Sequence, residues 1–307
     1  MRQPDLRGRD LIGMDDLSAD ELRAVLARAA ELKAARRRGE ARPEAAGKTL
    51  AMIFEKPSLR TRVTFEVGMR QLGGHAVYLG PQDIQMGSRE SVPDVARNLA
   101  RWVDGIMARV FLHRTVEELA EHAAVPVVNG LSDREHPCQT LGDLLTIQEH
   151  FGRLEGIRAA WVGDGNNVLH SLLLGGAKLG MTFAVATPPG YEPAAAIVAR
   201  ARALGAAVTL THDPRDAVAG ADVIYTDVWV SMGKEAERAE RLRAFAGYQV
   251  NAALLRVAGP RARVMHCLPA RRGEEITDEV LDGPQAIVLD QAENRLHAQK
   301  GLLAMIL

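Results

Sequence analysis

Short apolar segments alternate with amphipathic helical segments along this chain, and no other feature of the sequence constrains its fold as strongly. Strands that alternate with helices predict a parallel sheet covered by helices on both faces. The first series has strand candidates at residues 49–54, 76–79, 106–111 and 125–128. Helical stretches separate the later candidates at residues 92–103, 116–123 and 141–150. This series therefore predicts one α/β domain.

The alternation starts again near residue 153, which predicts a second α/β domain. Its strand candidates are residues 159–162, 183–186, 207–210, 223–225, 264–267 and 286–289, and its helical stretches are residues 167–179, 193–204 and 292–306. A chain of 307 residues has room for two domains of about 150 residues each. We predict two doubly wound parallel-sheet domains, residues 1–148 and 149–291, and expect the final helix, 292–307, to pack back on the first.

The composition excludes several classes of partner. Lys plus Arg number 38 and Asp plus Glu number 39, which gives a formal charge of −1. Such a chain has no electrostatic drive toward nucleic acid or an anionic membrane surface. No uncharged apolar run approaches the ~18 residues of a membrane-spanning helix. The two cysteines cannot build a disulfide framework, so we expect a reduced, cytoplasmic environment.

One segment of the first series combines the hydrogen-bond donors that a phosphate group needs. It follows a strand candidate, opens a helix and reads Glu55-Lys56-Pro57-Ser58-Leu59-Arg60-Thr61-Arg62. At a helix start the unpaired N–H groups and the dipole favour an anion, and hydroxyls and guanidinium groups add donors. The Walker pattern is absent. The alternative is a capped helix with exposed arginines.

Further polar side chains follow other strand candidates. Ligands of open α/β sheets bind beyond the carboxyl ends of the strands, so two such sheets predict an active site in the cleft between them. His136 and Gln139 follow the strand at 125–128, although a lone histidine there is more often structural. Asp227 ends the strand at 223–225, where a carboxylate can meet an ammonium group. The Ser231-Met232-Gly233 sequence that follows suggests a mobile loop.

We expect neither a nicotinamide cofactor nor a metal. The segment from Gly163 to Asn167 half-resembles a dinucleotide fingerprint, but Val168 occupies the last glycine position. The cysteines and nearby histidines lack the C-x-x-C or H-x-x-x-H spacing of zinc sites. Asn167 at a helix start either donates to a carboxylate or caps the helix. Arg295, at the start of the last predicted helix, is placed for an anion.

Taken together and in this order, these segments resemble the aspartate/ornithine carbamoyltransferase family, from about Leu11 to the C terminus. The shared family elements are Ser-x-Arg-Thr-Arg at 58–62 and His136-Pro137-x-Gln139. The segments Asp227-Val228-Trp229-Val230-Ser231-Met232-Gly233 and His266-Cys267-Leu268-Pro269 resemble the ornithine branch. Leu59 departs from the commonest family pattern, which has Thr there. The family uses mainly the backbone at that position, so the departure affects only a hydroxyl contact.

The resemblance implies transfer of the carbamoyl group of carbamoyl phosphate to the δ-amine of L-ornithine, giving L-citrulline and phosphate, without metal or redox cofactor. The carbamoyl phosphate contacts that it implies are Ser58, Leu59, Arg60, Thr61, Gln85, Arg109, His136, Gln139, Cys267, Leu268 and Arg295. The implied ornithine contacts are Asn167, Asp227, Ser231 and Met232. Catalytic roles fall on Arg109, His136, Asp227 and Cys267. The resemblance also implies a cis Leu268–Pro269 bond.

The family further implies a homotrimer, or a multiple of trimers, in which Gln85 enters a neighbouring subunit's site. Gln85 lies in a polar loop at 80–88 that lacks apolar anchors, which fits an outward reach. Arginine biosynthesis and the reverse, catabolic reaction would use the same residues. The alternatives are an enzyme of N-acylated ornithine, which lacks the ammonium that Asp227 would bind, and a non-catalytic anion-binding relative.

Overall fold

A computed structural model describes residues 4–307. The chain divides into two units: the described residues up to Leu145 with Glu293–Leu307 form unit 1, and Thr146–Ala292 form unit 2. Each unit is built on one sheet whose strands are all parallel, as the alternation of strands and helices predicts. Within residues 4–307, no helix is both long enough and apolar enough to cross a membrane.

Unit 1 contains a four-stranded sheet. Its strands are β1 (Thr49–Phe54), β2 (His75–Leu79), β3 (Gly105–Arg109) and β4 (Val127–Leu131), in the order β2-β1-β3-β4. Its helices are α1 (Ala19–Arg37), α2 (Leu59–Gln71), α3 (Pro81–Ile84), α4 (Val92–Leu99), α5 (His113–His122) and the first part of α6 (Pro137–Phe151). The central strands β1 and β3 are almost wholly buried, because helices cover both faces of a parallel sheet.

Unit 2 contains a five-stranded sheet. Its strands are β5 (Arg158–Val162), β6 (Thr182–Ala186), β7 (Val208–Thr211), β8 (Val223–Thr226) and β9 (Arg263–His266), in the order β7-β6-β5-β8-β9. Its helices are α7 (Asn167–Lys178), α8 (Ala195–Ala203), α9 (Pro214–Val218), α10 (Arg238–Ala244), α11 (Ala252–Ala258) and α12 (Asp278–Leu281). The chain ends in α13 (Val288–Ile306), most of which belongs to unit 1.

Three sequence predictions are wrong near the ends of elements. Residues 286–289 form no strand: Ala286 makes a single bridge to Val264, and α13 already begins at Val288. A short apolar run does not distinguish strand from helix, which explains the error. Arg295 consequently lies about two turns inside α13 and not at its start. Helix α6 begins at Pro137, four residues before the predicted position, because proline suits the first helical turn.

Candidate active site

In unit 1, the start of α2 presents polar groups at the carboxyl end of β1. The Ser58 hydroxyl caps the helix and accepts a hydrogen bond from the Thr61 N–H at 3.2 Å. This cap places Arg60 and Thr61 in the first helical turn, where backbone N–H groups have no partner within the helix. Thr61 is buried, whereas the Leu59 side chain is 76% exposed. The Leu59 side chain is therefore directed to solvent at this helix start.

The Arg295 guanidinium, from α13, joins this helix start to α6. Its Nη1 donates to Gln139 Oε1 at 2.6 Å, and its Nη2 donates to Thr61 Oγ1 at 3.3 Å. Gln139 is held in turn, since its Nε2 donates to Asp143 Oδ1 at 2.8 Å. All four side chains are buried. We call the following set the anion half-site: Ser58, Arg60, Thr61, Arg109, His136, Gln139 and Arg295.

His136 lies in this cluster as a neutral imidazole. Burial lowers the pKa of His136 well below its ordinary value, and the charges of Arg295, Arg109 and Arg60 lower it further. Arg109 is the last residue of β3 and is also buried. A neutral imidazole can donate one hydrogen bond without adding charge. The half-site therefore combines three guanidinium groups with one uncharged donor or acceptor.

Two residues of the family segments, Arg62 and Gln85, have other contacts. The Arg62 guanidinium lies over the Tyr78 ring, 3.9 Å from its centroid, and pairs with Glu66 at 3.7 Å. Gln85 is exposed, and its φ of +49° is left-handed, which is uncommon for a residue other than glycine. The Gln85 carbonyl accepts a hydrogen bond from the Ser88 hydroxyl at 2.9 Å. The loop thus closes on itself around an outward-facing glutamine.

In unit 2, Asp227 directly follows β8 and is surrounded by donors. Its Oδ2 accepts from Asn166 Nδ2 at 2.8 Å. Its Oδ1 accepts from the Val228 N–H at 2.8 Å and from Cys267 Sγ at 3.0 Å. Asp227 is buried and Cys267 is half-buried. We call Asn166, Asp227 and Cys267 the acidic half-site.

Sequence reasoning selected Asn167 and missed Asn166. The Asn166 Oδ1 accepts from the Val168 and Leu169 N–H groups, so Asn166 caps α7 and Asn167 is its first residue. With its oxygen used by the helix, the Asn166 amide N–H₂ is directed to the carboxylate of Asp227. The available signal was an asparagine directly before an apolar helical run.

The segment after β9 is held by a buried histidine. The Leu268 N–H donates to His266 Nδ1 at 2.9 Å, so the ring proton lies on Nε2, which faces Glu275 Oε1 at 3.0 Å. Leu268 has a left-handed φ of +57°, and the Leu268–Pro269 bond is cis, as predicted. Glu275 is a further residue that sequence reasoning missed.

A metal does not fit this segment without loss of hydrogen bonds. Ligand atoms of Asp227, His266 and Cys267 lie within 4.8 Å of one another. Both ring nitrogens of His266 and the Cys267 thiol already have hydrogen-bond partners. We therefore treat the group as a hydrogen-bond network.

Ser231 and Met232 lie in the loop that follows Asp227. The Ser231 carbonyl accepts from the Lys234 N–H at 3.0 Å, which makes a turn, and the Met232 side chain is 44% exposed. The loop is thus open to solvent along this part of the chain.

Both units place charged side chains at or after the carboxyl ends of parallel strands, where open α/β proteins bind small ligands. Comparison with known proteins identifies the family. Residues 9–149 match the aspartate/ornithine carbamoyltransferase carbamoyl-P binding domain, and residues 155–306 match the Asp/Orn binding domain of the same family. The chain therefore belongs to the aspartate/ornithine carbamoyltransferase family.

Individual proteins of this family are similar to the chain over most of its length. The ornithine carbamoyltransferase of Methanoculleus marisnigri is 61% identical over 269 residues, which cover 88% of this chain and 87% of that protein. A Pyrococcus furiosus protein named ornithine carbamoyltransferase, anabolic, is 57% identical over 85% of this chain and 84% of its own. A solved structure of ornithine carbamoyltransferase from Pyrococcus furiosus superposes with a TM-score of 0.96 at 53% identity, covering 99% and 98% of the two chains.

Proposed function

We propose that this protein transfers the carbamoyl group of carbamoyl phosphate to the δ-amine of L-ornithine, giving L-citrulline and phosphate. The observation that carries the proposal is the contrast in charge between the half-sites. Three guanidinium groups face His136 in unit 1, whereas a buried carboxylate forms the acidic half-site in unit 2. The names of the relatives and of the two matched domains support the same reaction.

The anion half-site suits carbamoyl phosphate. The first turn of α2 offers backbone N–H groups, and Ser58, Arg60 and Thr61 add a hydroxyl, a guanidinium and a second hydroxyl to them. A phosphate dianion is well matched by such charge-assisted donors. Phosphate that leaves during the reaction stays in contact with the same donors. Cys267 and Leu268 belong to the proposed carbamoyl contacts, together with Arg109, His136, Gln139 and Arg295.

Attack on the carbamoyl carbon moves negative charge onto its oxygen. Arg109, His136 and Thr61 are the donors that we assign to this oxygen. A well-placed donor of this kind contributes about 2.7–4 kcal/mol to the transition state. Because His136 is neutral, its ring donates a hydrogen bond without losing a proton to the reaction.

The acidic half-site suits ornithine. We assign the Asp227 carboxylate to the α-ammonium of ornithine, and Asn167, Ser231 and Met232 to further contacts. The δ-amine must attack as the free base, although its ordinary pKa resembles that of lysine, about 10.4. As the new C–N bond forms, the bond between the carbamoyl carbon and the bridging oxygen breaks, phosphate leaves with that electron pair, and the proton lost by the attacking nitrogen passes to the phosphate. Positioning two substrates together supplies much of the acceleration.

The test is citrulline formation from carbamoyl phosphate with ornithine, aspartate or N-acetylornithine offered separately. We expect turnover with ornithine and at least about a hundredfold less with the others. The α-amine of N-acetylornithine is acylated, and the single amine of aspartate has to act as the nucleophile, so neither acceptor leaves an ammonium group for Asp227. Preference for N-acetylornithine would support the N-acylornithine alternative. Binding of carbamoyl phosphate without turnover of any acceptor would support a non-catalytic relative.

We also propose a homotrimer, or a multiple of trimers, in which Gln85 completes the anion half-site of a neighbour. The outward position and left-handed backbone of Gln85 support this. Leu59 and Val63, one turn apart on α2, are 76% and 46% exposed, and Leu112 is 59% exposed. Exposed apolar side chains of this kind are typical of an interface. Closed cyclic symmetry then gives three shared sites.

Subunit mixing tests the shared site. Gln85→Ala and Arg109→Ala should each be nearly inactive, and a mixture of the two should recover activity after subunit exchange. Mixed trimers contain some sites with both side chains intact, whereas Gln85 acting within its own chain gives no such recovery. Light scattering provides the assembly state, and a fully active monomer would contradict the proposal.

The metabolic setting follows from the same proposal. The anabolic name of the Pyrococcus furiosus relative supports the direction toward citrulline, and hence a place in arginine biosynthesis. Neither Cys138 nor Cys267 forms a disulfide bond, which supports the proposed cytoplasmic location.

A further inference from the structure

Arg241 is buried in α10 and contacts two segments that lead to the acidic half-site. Only 4% of its surface is exposed. Its Nη1 lies 3.2 Å from Asp164 Oδ2 and donates to the Trp229 carbonyl at 3.0 Å. Its Nε donates to Glu237 Oε2 at 2.7 Å, and the guanidinium lies over the Tyr191 ring, 5.0 Å from its centroid. A planar guanidinium suits this place because it holds several acceptors in a fixed geometry.

Asp164 belongs to the first of these segments, the loop after β5. The carboxylate is buried, and burial raises the pKa of Asp164 while the charge of Arg241 opposes that rise. Gly165 follows and lies so close to the backbone at Pro193 that a Cβ would come within 2.2 Å of its nitrogen. Asn166 comes next and donates to the Asp227 carboxylate. The position of Asn166 therefore depends on a loop that Arg241 anchors.

Trp229 belongs to the second segment, which runs from Asp227 to Ser231 and Met232. Its carbonyl accepts from Arg241, and its ring is buried and stacks on Phe245 with centroids 5.7 Å apart. The guanidinium thus fixes the backbone two residues after the Asp227 carboxylate. The loop with the two further ornithine contacts begins there.

We propose that Arg241 is a positioning residue for ornithine. It holds the loop after β5 and the segment after β8 in one arrangement, so that Asn166, Asp227 and the following loop present a single binding surface. Arg241 acts through Asp164 and the Trp229 carbonyl and is not itself a substrate contact. The inference rests on the proposed function, because ornithine is the ligand assigned to these residues.

The test compares Arg241→Met with Arg243→Met. Arg243 lies on the same helix, is exposed, and donates to the Ala239 carbonyl at 3.2 Å. We expect Arg241→Met to raise the KM for ornithine about tenfold or more, since it removes hydrogen bonds between charged groups. The Kd for carbamoyl phosphate alone should change less than about twofold, because the anion half-site belongs to unit 1. Arg243→Met should behave as wild type in both assays.

Two further variants keep the test decisive where Arg241→Met folds poorly. Arg241→Lys keeps the positive charge but loses the planar guanidinium group with its several N–H donors. Asp164→Asn keeps the shape of the side chain but loses its negative charge. Each should raise the KM for ornithine, and the double variant should be no worse than the poorer single variant, because both break the same contact. Additive losses, or equal losses of carbamoyl phosphate and ornithine affinity, would overturn the positioning role.

Amide hydrogen exchange separates this inference from the proposed function. Without any substrate, Arg241→Lys should accelerate exchange in the loop after β5 and in residues 229–237, and leave β5 and β6 unchanged. Uniform acceleration across unit 2 would indicate a merely structural role and contradict the proposal. If the wild-type protein makes no citrulline, the proposed function is contradicted. The exchange experiment needs no substrate, so it still tests whether Arg241 positions the two segments.

Discussion

The two half-sites are assembled in different ways. In the anion half-site, Arg295 reaches Gln139 and Thr61, which lie 156 and 234 residues away along the chain. In the acidic half-site, Asp227 is held by groups in neighbouring strand-end loops, Asn166 and Cys267. The first has three cations around one neutral ring and thus an excess of positive charge for an incoming dianion. The second has one carboxylate that already accepts three hydrogen bonds.

Under the proposed function, this difference predicts that carbamoyl phosphate is bound mainly by charge and ornithine mainly by orientation. Removal of one guanidinium group leaves positive charge in the anion half-site, but it also removes the hydrogen bonds that this side chain makes to the ligand. A single carboxylate depends on the geometry of each donor around it. The variants below test this contrast, from the largest expected effect to the smallest.

Arg60→Ala should reduce kcat/KM for carbamoyl phosphate about 10- to 150-fold, which corresponds to one hydrogen bond with a charged partner. The matched control is Arg62→Ala, two residues away on the same helix, whose guanidinium lies over Tyr78. Steady-state kinetics at varied carbamoyl phosphate, with a thermal melt of each variant, provide the measurement. Equal losses in the two variants would show that local charge and not the cluster binds the phosphate.

Asp227→Asn should raise the KM for ornithine about tenfold or more and leave carbamoyl phosphate binding intact. The neutral amide keeps the size of the side chain but cannot pair with an ammonium group as strongly. Its nitrogen would also face either the Asn166 amide or the Val228 N–H, which both donate in the native protein. Calorimetry with carbamoyl phosphate alone is the control. If that binding collapses, Asp227 belongs to the other substrate.

His136→Gln should make the protein less sensitive to acid. The pKa of His136 is lowered well below its ordinary 6.5, so the unfolded chain binds the proton first as the pH falls. The contribution of this pKa difference to the free energy of unfolding is fully present above about pH 6.5. It decreases as the pH falls below that value, by up to about 1.4 kcal/mol per pH unit.

The free energy of unfolding is measured by urea unfolding at about pH 7.5 and pH 5.5. The decrease between these pH values is then compared between wild type and His136→Gln. Burial also lowers the pKa of His113, but His113 is present in both proteins and cancels. The same acid loss in both proteins would mean that His136 is already charged in the folded state.

Local sequence patterns were sufficient to predict the fold class and several residues of the candidate site. The alternation of segments gave the two parallel sheets, because period and turn residues are local properties. The same reasoning located Ser58, His136 and Asp227 directly after strands, where a parallel sheet exposes its ligand-binding edge. It failed at residues 286–289, where helix packing overrode a short apolar run.

The chain's own sequence therefore determined the fold class, the family and the residue types of both half-sites. Only the tertiary structure decided which side chains meet: that Arg295 reaches Thr61, that Asn166 donates to Asp227, and that Arg62 turns to Tyr78. It also revealed Arg241, whose partners lie in two separate loops. The physical reason is that hydrogen bonds form over about 3 Å in space, whereas sequence patterns report only neighbours along the chain.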